Sequence, residues 1–153
     1  MKLFSSFFFQ LTEGRHNFAR DEFRILLTNV APSSDDRTVA DIVEIERGGG
    51  YPLGGLAVTI TRTHEFETFA LILSAARFRA VGGTIGPLRY AVLQNASAGG
   101  LLVAWWDYGA EVTLQSGERF TVDTGGIRWS AAGIESQKAE AFDLLAVERD
   151  YST

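Results

Sequence analysis

The stretch Leu101-Leu102-Val103-Ala104-Trp105-Trp106-Asp107-Tyr108-Gly109 decides how this chain is read. Its β-branched and aromatic side chains suit a pleated surface, and Gly109 closes the run. Successive side chains on a strand point to opposite faces, so Trp105 and Trp106 cannot share one. One ring fills a core while the other reaches the second face. From sequence three uses of this aromatic cluster stay open. Both rings can lie in the domain's own core, or Trp105, Trp106 and Tyr108 can form a subunit interface, where aromatics bury large area with few rotors. An exposed platform for carbohydrate is the third.

Outward from this run the period-two pattern recurs. Phe23, Ile25 and Leu27 alternate with Arg24, Leu26 and Thr28, while Leu56, Val58 and Ile60 alternate with Ala57, Thr59 and Thr61. Phe69, Leu71 and Leu73 share a face, with Ala70 and Ile72 opposite. Leu88, Tyr90 and Val92, and then Phe120 and Val122, repeat the alternation. Gly48-Gly49-Gly50, Gly54-Gly55, Gly82-Gly83 and Gly99-Gly100 separate these runs as turn chemistry. Leu114 to Arg119 predicts a hairpin with Ser116-Gly117 as its two-residue loop. Val39, Ile42, Val43 and Ile45, interleaved with Asp41, Glu44 and Glu46, read as an amphipathic edge segment. Short strands at this spacing, without long helices between them, predict an all-β fold: a single β-sandwich or jelly-roll-like domain over residues 21–134.

The two ends read differently. Residues 1–20 form an apolar arm or first element. Leu3, Phe7 and Leu11 fall at helical spacing, but Phe8 and Phe9 blur the stripe and leave a strand as the competing reading. Residues 135–153 form a tail with Ala139, Phe142 and Leu145 at helical spacing and Ser136 as a candidate N-cap. The apolar ends suggest arms that grip neighbours, which adds Phe4, Phe7, Phe8, Phe142 and Leu145 to the interface candidates.

Length and composition exclude several classes. With 153 residues, 46% hydrophobic and 22% charged, the chain has the composition of one globular domain. A formal charge of −5 argues against a nucleic-acid surface, which needs a basic stripe to neutralise phosphates. The absence of cysteine removes disulfides and thiolate chemistry. The apolar N-terminal run is shorter than the roughly 20 residues of a membrane span, and Thr12-Glu13-Gly14-Arg15-His16 offers no clean signal-peptide cleavage site.

Catalytic chemistry is hard to find. His16 and His64 are isolated, and His64 and Glu65 would face opposite sides of a strand. Asp35-Asp36 sits in a polar loop without the spaced carboxylates that calcium takes. No G-x-S-x-G elbow or phosphate-binding glycine motif occurs. The expectation is no enzyme, no cofactor and no metal.

One resemblance adds to these readings. Phe23-Arg24-Ile25-Leu26-Leu27-Thr28-Asn29-Val30-Ala31-Pro32, Val39 to Ile45, Gly48 to Gly55, Gly82 to Leu93 and Trp105-Trp106-Asp107-Tyr108-Gly109 follow in order. With the Val112–Val122 segment and Gly126-Ile127, this pattern resembles a family of small tailed-bacteriophage virion proteins over roughly residues 20–130. The resemblance implies a virion structural protein, first of all a capsid decoration (cement) protein made in the host cytoplasm and placed on the capsid surface. Its implied partners are the major capsid protein and copies of itself, as in a trimer at a threefold position. The alternative it leaves is a tail or tail-fibre component that binds a host receptor or glycan. The Phe-rich N-terminus and the tail from Glu135 depart from the pattern.

Overall fold

The computed structural model describes residues 1–130, 133–136 and 148–149. It is an all-β fold built around one antiparallel sheet. Its strands are β1 (Lys2–Leu3), β2 (Phe23–Thr28), β3 (Leu56–Val58), β7 (Ile85–Asn95) and β8 (Leu101–Leu114), in the order β1-β8-β7-β2-β3. The facing layer has two parts. One joins β4 (Ile60–Glu65), β5 (Thr68–Leu73), β10 (Ile127–Ser130) and β11 (Gly133–Ser136) in the order β11-β10-β5-β4. The other joins β6 (Ala76–Arg79), β9 (Glu118–Val122) and β12 (Glu148–Arg149) in the order β12-β9-β6.

The alternation in the sequence sets both faces of the central sheet. Phe23, Ile25 and Leu27 of β2 join Ala91 and Leu93 of β7 and Trp106 of β8 in the main core. From the facing layer, Leu71, Leu73, Phe78, Phe120, Val122 and Ile127 close on them. This sandwich core follows from strands with one apolar face each. Leu26, Val92, Leu102 and Trp105 emerge on the other face, where Phe4 and Ile42 cover them. The two tryptophans therefore point opposite ways, and both are buried. Leu102 and Trp105 share a face although three residues apart. The register slips between Leu93↔Ala104 and Gln94↔Leu102, and the extra residue of this bulge is Val103.

Three local expectations are corrected. The Leu56–Thr61 run is not one strand. It breaks at Thr59, so β3 stays in the central sheet while β4 crosses to the facing layer. Thr59 N–H donates to Ser74 Oγ at 2.9 Å and Thr59 O accepts from Ser74 N–H at 3.0 Å, binding this corner to the matching one between β5 and β6. Second, the turn at Ser116-Gly117 forms, with Glu118 N–H donating to Gln115 O and Gly117 at φ 94°. The strands it joins separate: β8 pairs with β7, and β9 pairs with β6. Third, the Val39–Ile45 edge segment pairs with β2 only at its end, where Glu44 bridges Thr28 and Ile45 N–H donates to Leu27 O at 3.1 Å. Val39–Asp41 is a 3-10 turn with a Thr38/Asp41 capping box, and Ile42 and Ile45 drop into different cores.

The N-terminal residues are packed onto their own domain. β1 pairs with the Trp105 end of β8, and Phe4 N–H donates to Val103 O at 3.1 Å. A short helix α1 (Phe7–Thr12) follows and buries Phe7 and Gln10. The stripe expected at Leu3, Phe7 and Leu11 is replaced by Phe4, Phe7 and Gln10, because the first three residues are extended and the helix begins only after Ser6. The expected helix over Gln137–Arg149 lies largely outside the described residues. Only Glu148–Arg149 is described, and it forms β12.

Candidate functional site

The interface candidates divide by burial. Phe4, Phe7, Trp105 and Trp106 are inside the monomer, so they offer a partner no surface. Phe4 lies 4.5 Å from the Trp105 ring and Phe7 5.2 Å from the His16 ring, centroid to centroid. Tyr108 is half-buried, edge-on to Phe120 at 5.1 Å. Phe8 alone among the described candidates is exposed, and Phe142 and Leu145 lie outside the described residues. Trp106 Nε1 is buried without a hydrogen-bond partner, an internal cost of about 1–3 kcal/mol.

His16 is not isolated. Residues 13–22 bring it under α1, where Nε2 meets Gln10 Oε1 at 3.0 Å and Nδ1 meets Asn95 Nδ2 at 3.1 Å. Asn95 Nδ2 also donates to Asp21 Oδ2 at 2.8 Å, while its Oδ1 accepts from Ala98 N–H. An amide that donates to Nδ1 leaves Nε2 as the protonated nitrogen, so the ring is the neutral Nε2–H tautomer. Burial pushes the imidazole below its ordinary pKa, Asp21 pulls it back up, and Arg15 lowers it further. The Asn95 amide, followed by Asn17 N–H, holds Asp21 below the usual carboxylate range. Both ring nitrogens of His16 are held in hydrogen bonds, and the Asn95 amide bridges His16 to Asp21. The sequence hides this cluster because its members are up to 85 positions apart.

A second buried group ties the glycine-rich segment down. Tyr51 Oη donates to Glu44 Oε2 at 2.5 Å and accepts from Leu27 N–H at 3.1 Å; Gly54 N–H donates to the same carboxylate oxygen. Burial, with the Glu44 contact adding to it, pushes the Tyr51 phenol far up. A Cβ on Gly55 would meet Ile25 O at 1.9 Å, so glycine is required there by close backbone approach. The segment is a packed structural turn.

Among the described residues no three His, Asp, Glu or Cys side chains gather as metal ligands, and no helix is long and apolar enough to cross a membrane. His64 and Glu65 are exposed on β4.

Two surface features among the described residues bear on function. The first is the β4–β5 hairpin, whose strands pair from Ile60↔Leu73 to Glu65↔Thr68. Its two-residue loop is Phe66-Glu67, with Phe66 at φ 51° and 99% exposed. Glycine is the usual occupant of a positive-φ loop position, because a Cβ there costs roughly 1–2 kcal/mol. Burial falls along the hairpin: Leu73 and Leu71 are in the core, Phe69 is partly exposed, and Phe66 is in solvent. Ile72, on the opposite face of β5 from Phe69, is exposed too. Sequence reasoning passed over Phe66, although an aromatic between Glu65 and Glu67 in a two-residue loop is a visible signal.

The second is a cavity of about 690 Å³ between α1 and the 33–38 loop. Phe9, 70% exposed, stands at one wall, and Glu13, Arg15, Asp35 and Arg37 surround it. Gln10, fixed between Ser6 Oγ and His16, also lines it.

No family model, curated protein or solved structure matches this chain.

Proposed function

We propose that this chain is a non-catalytic structural protein of a bacteriophage virion, bound to the head shell as a decoration protein. The observation that carries the reading is Phe66. A bulky aromatic held at positive φ and fully in solvent adds strain and exposed apolar area to the free protein, and burial of the ring by a partner offsets them. Phe69, partly exposed on β5, and the edge position of β4 in its sheet among the described residues extend the surface beside it. An edge strand offers unpaired backbone groups for strand addition by a neighbour. The ordered resemblance to phage virion proteins supplies the identity of that neighbour: the major capsid protein, with copies of the chain around a symmetry axis. The tail or tail-fibre reading is kept as the second, favoured by the mixed polar and aromatic cavity beside α1.

Imaging of particles carrying an epitope-tagged copy tests the placement. A regular array over the head is the expected result. Label confined to the tail selects the second reading, and particles devoid of label overturn both. The hairpin has its own test: Phe66→Ser is expected to fold normally and to fall off the particle.

A further inference from the structure

We propose that the cavity between α1 and the 33–38 loop is a binding site for a neutral saccharide. This reading does not depend on where the protein sits in a particle. The size, about 690 Å³, lies inside the range of about 300–1,000 Å³ typical of small-ligand pockets.

The chemistry of the wall narrows the ligand. Arg15 and Arg37 bring cationic donors, while Glu13 and Asp35 bring anionic acceptors. Among the described residues, ion pairs join Arg24 to Glu22 and Arg89 to Asp107, and none engages these four groups. No ion pair ties these heads down, although Arg37 also acts on the nearby Asp41 carboxylate and Arg15 on the His16 ring. An anion would satisfy the two arginines and be repelled by the two carboxylates; a cation would meet the reverse. A ring of hydroxyl groups uses both sets, because each hydroxyl accepts from a guanidinium and donates to a carboxylate.

The apolar part of the wall agrees. Phe9 is 70% exposed, although its neighbours on α1, Phe7 and Gln10, are buried. Its ring lines the same cavity as the polar groups, and an exposed aromatic there offers apolar cover to the C–H face of a pyranose. Below, Leu101 and Gln10 form a fixed floor, since Leu101 is in β8 and the Gln10 amide is held by Ser6 and His16. A site whose floor is fixed loses less entropy on binding.

The full chain, isotope-labelled for NMR, should be titrated with maltotriose, cellotriose, chitotriose, mannotriose and β-1,3-glucotriose. A trigalacturonate and inorganic phosphate serve as anionic comparisons. The expected result is saturable shifts from at least one neutral trisaccharide, confined to residues 5–15, 33–38 and the segment around Leu101. Phe9→Ala, Arg37→Ala and Asp35→Asn should each weaken that binding by about fivefold or more, as removal of a central contact does. All three side chains are exposed, so the variants should melt as the parent does. Absence of binding by every neutral trisaccharide overturns the proposal. So does binding that all three variants leave unchanged, or binding by the anionic probes alone.

Discussion

The Leu3–Leu11 run and the Phe66–Ile72 hairpin are both rich in apolar side chains, and the fold treats them in opposite ways. The first reads as a gripping arm, yet Phe4 and Phe7 are interior and β1 extends the central sheet. The second reads as a strand of the domain, yet its tip stands clear of the core with Phe66 in solvent. Apolar content identifies what must be covered; the cover itself is chosen by geometry. Phe4 finds Trp105 because β1 pairs with β8 beside it. Phe66 finds nothing because a two-residue loop carries it beyond the last packed pair.

The largest effect is expected on the N-terminal side. Phe4→Ala with Phe7→Ala should unfold the protein or leave it barely folded. Each truncation costs about 3–5 kcal/mol, against a total of about 5–15 kcal/mol for an ordinary domain. Thermal melting by circular dichroism decides it, and a double variant that melts like the parent would restore the arm reading.

A Trp106 pair of variants should show how much of this core residue's contribution is volume. Trp106→Ala should cost about 3–5 kcal/mol. Trp106→Phe should cost clearly less, because its ring leaves a smaller cavity while loss of the unpartnered buried N–H, common to both variants, offsets part of each cost. Urea denaturation of both gives the difference, and equal losses would show that ring volume at this position does not set the cost.

Acid should act on the N-terminal region next. The folded pKa of His16 lies below its ordinary value of 6.5, so the unfolded chain takes up the proton first. This contribution to stability is complete above about pH 6.5 and declines as pH falls through the lower folded pKa. Asp21, also lowered, gives a separate loss below its ordinary value of 3.8. Urea midpoints measured from pH 7.5 to 5 should fall for the parent and stay flatter for His16→Gln. Parallel curves would remove His16 from the account.

The smallest effect on stability belongs to the hairpin. Phe66→Gly relieves the positive-φ strain and should leave the protein as stable as the parent or more stable by about 1 kcal/mol. A clear loss of stability would mean that Phe66 packs on its own domain, making the two segments alike after all.

Much of the fold was legible in the sequence because strand periodicity is local. Phe23, Ile25 and Leu27 specify one face from three alternate positions, and Trp105-Trp106 specify two faces from adjacent ones. The break at Thr59 was not legible, since Leu56 to Thr61 keeps its alternation straight through a corner at which the strand changes sheets. Nor was the fate of β9, whose turn is written in Ser116-Gly117 while its partner, β6, lies some 40 positions back.

Local sequence settles an all-β chain, the faces of its main strands, the positions of its turns and the lack of cysteine chemistry. These depend on side-chain alternation, backbone preference and composition, which neighbours a few residues apart settle. Long-range packing decides that the Phe-rich start is core, that His16 joins Asn95 and Asp21, and that Phe66 and Phe9 stay exposed. Those outcomes depend on which distant segment arrives to cover a side chain, and burial is a property of the assembled fold.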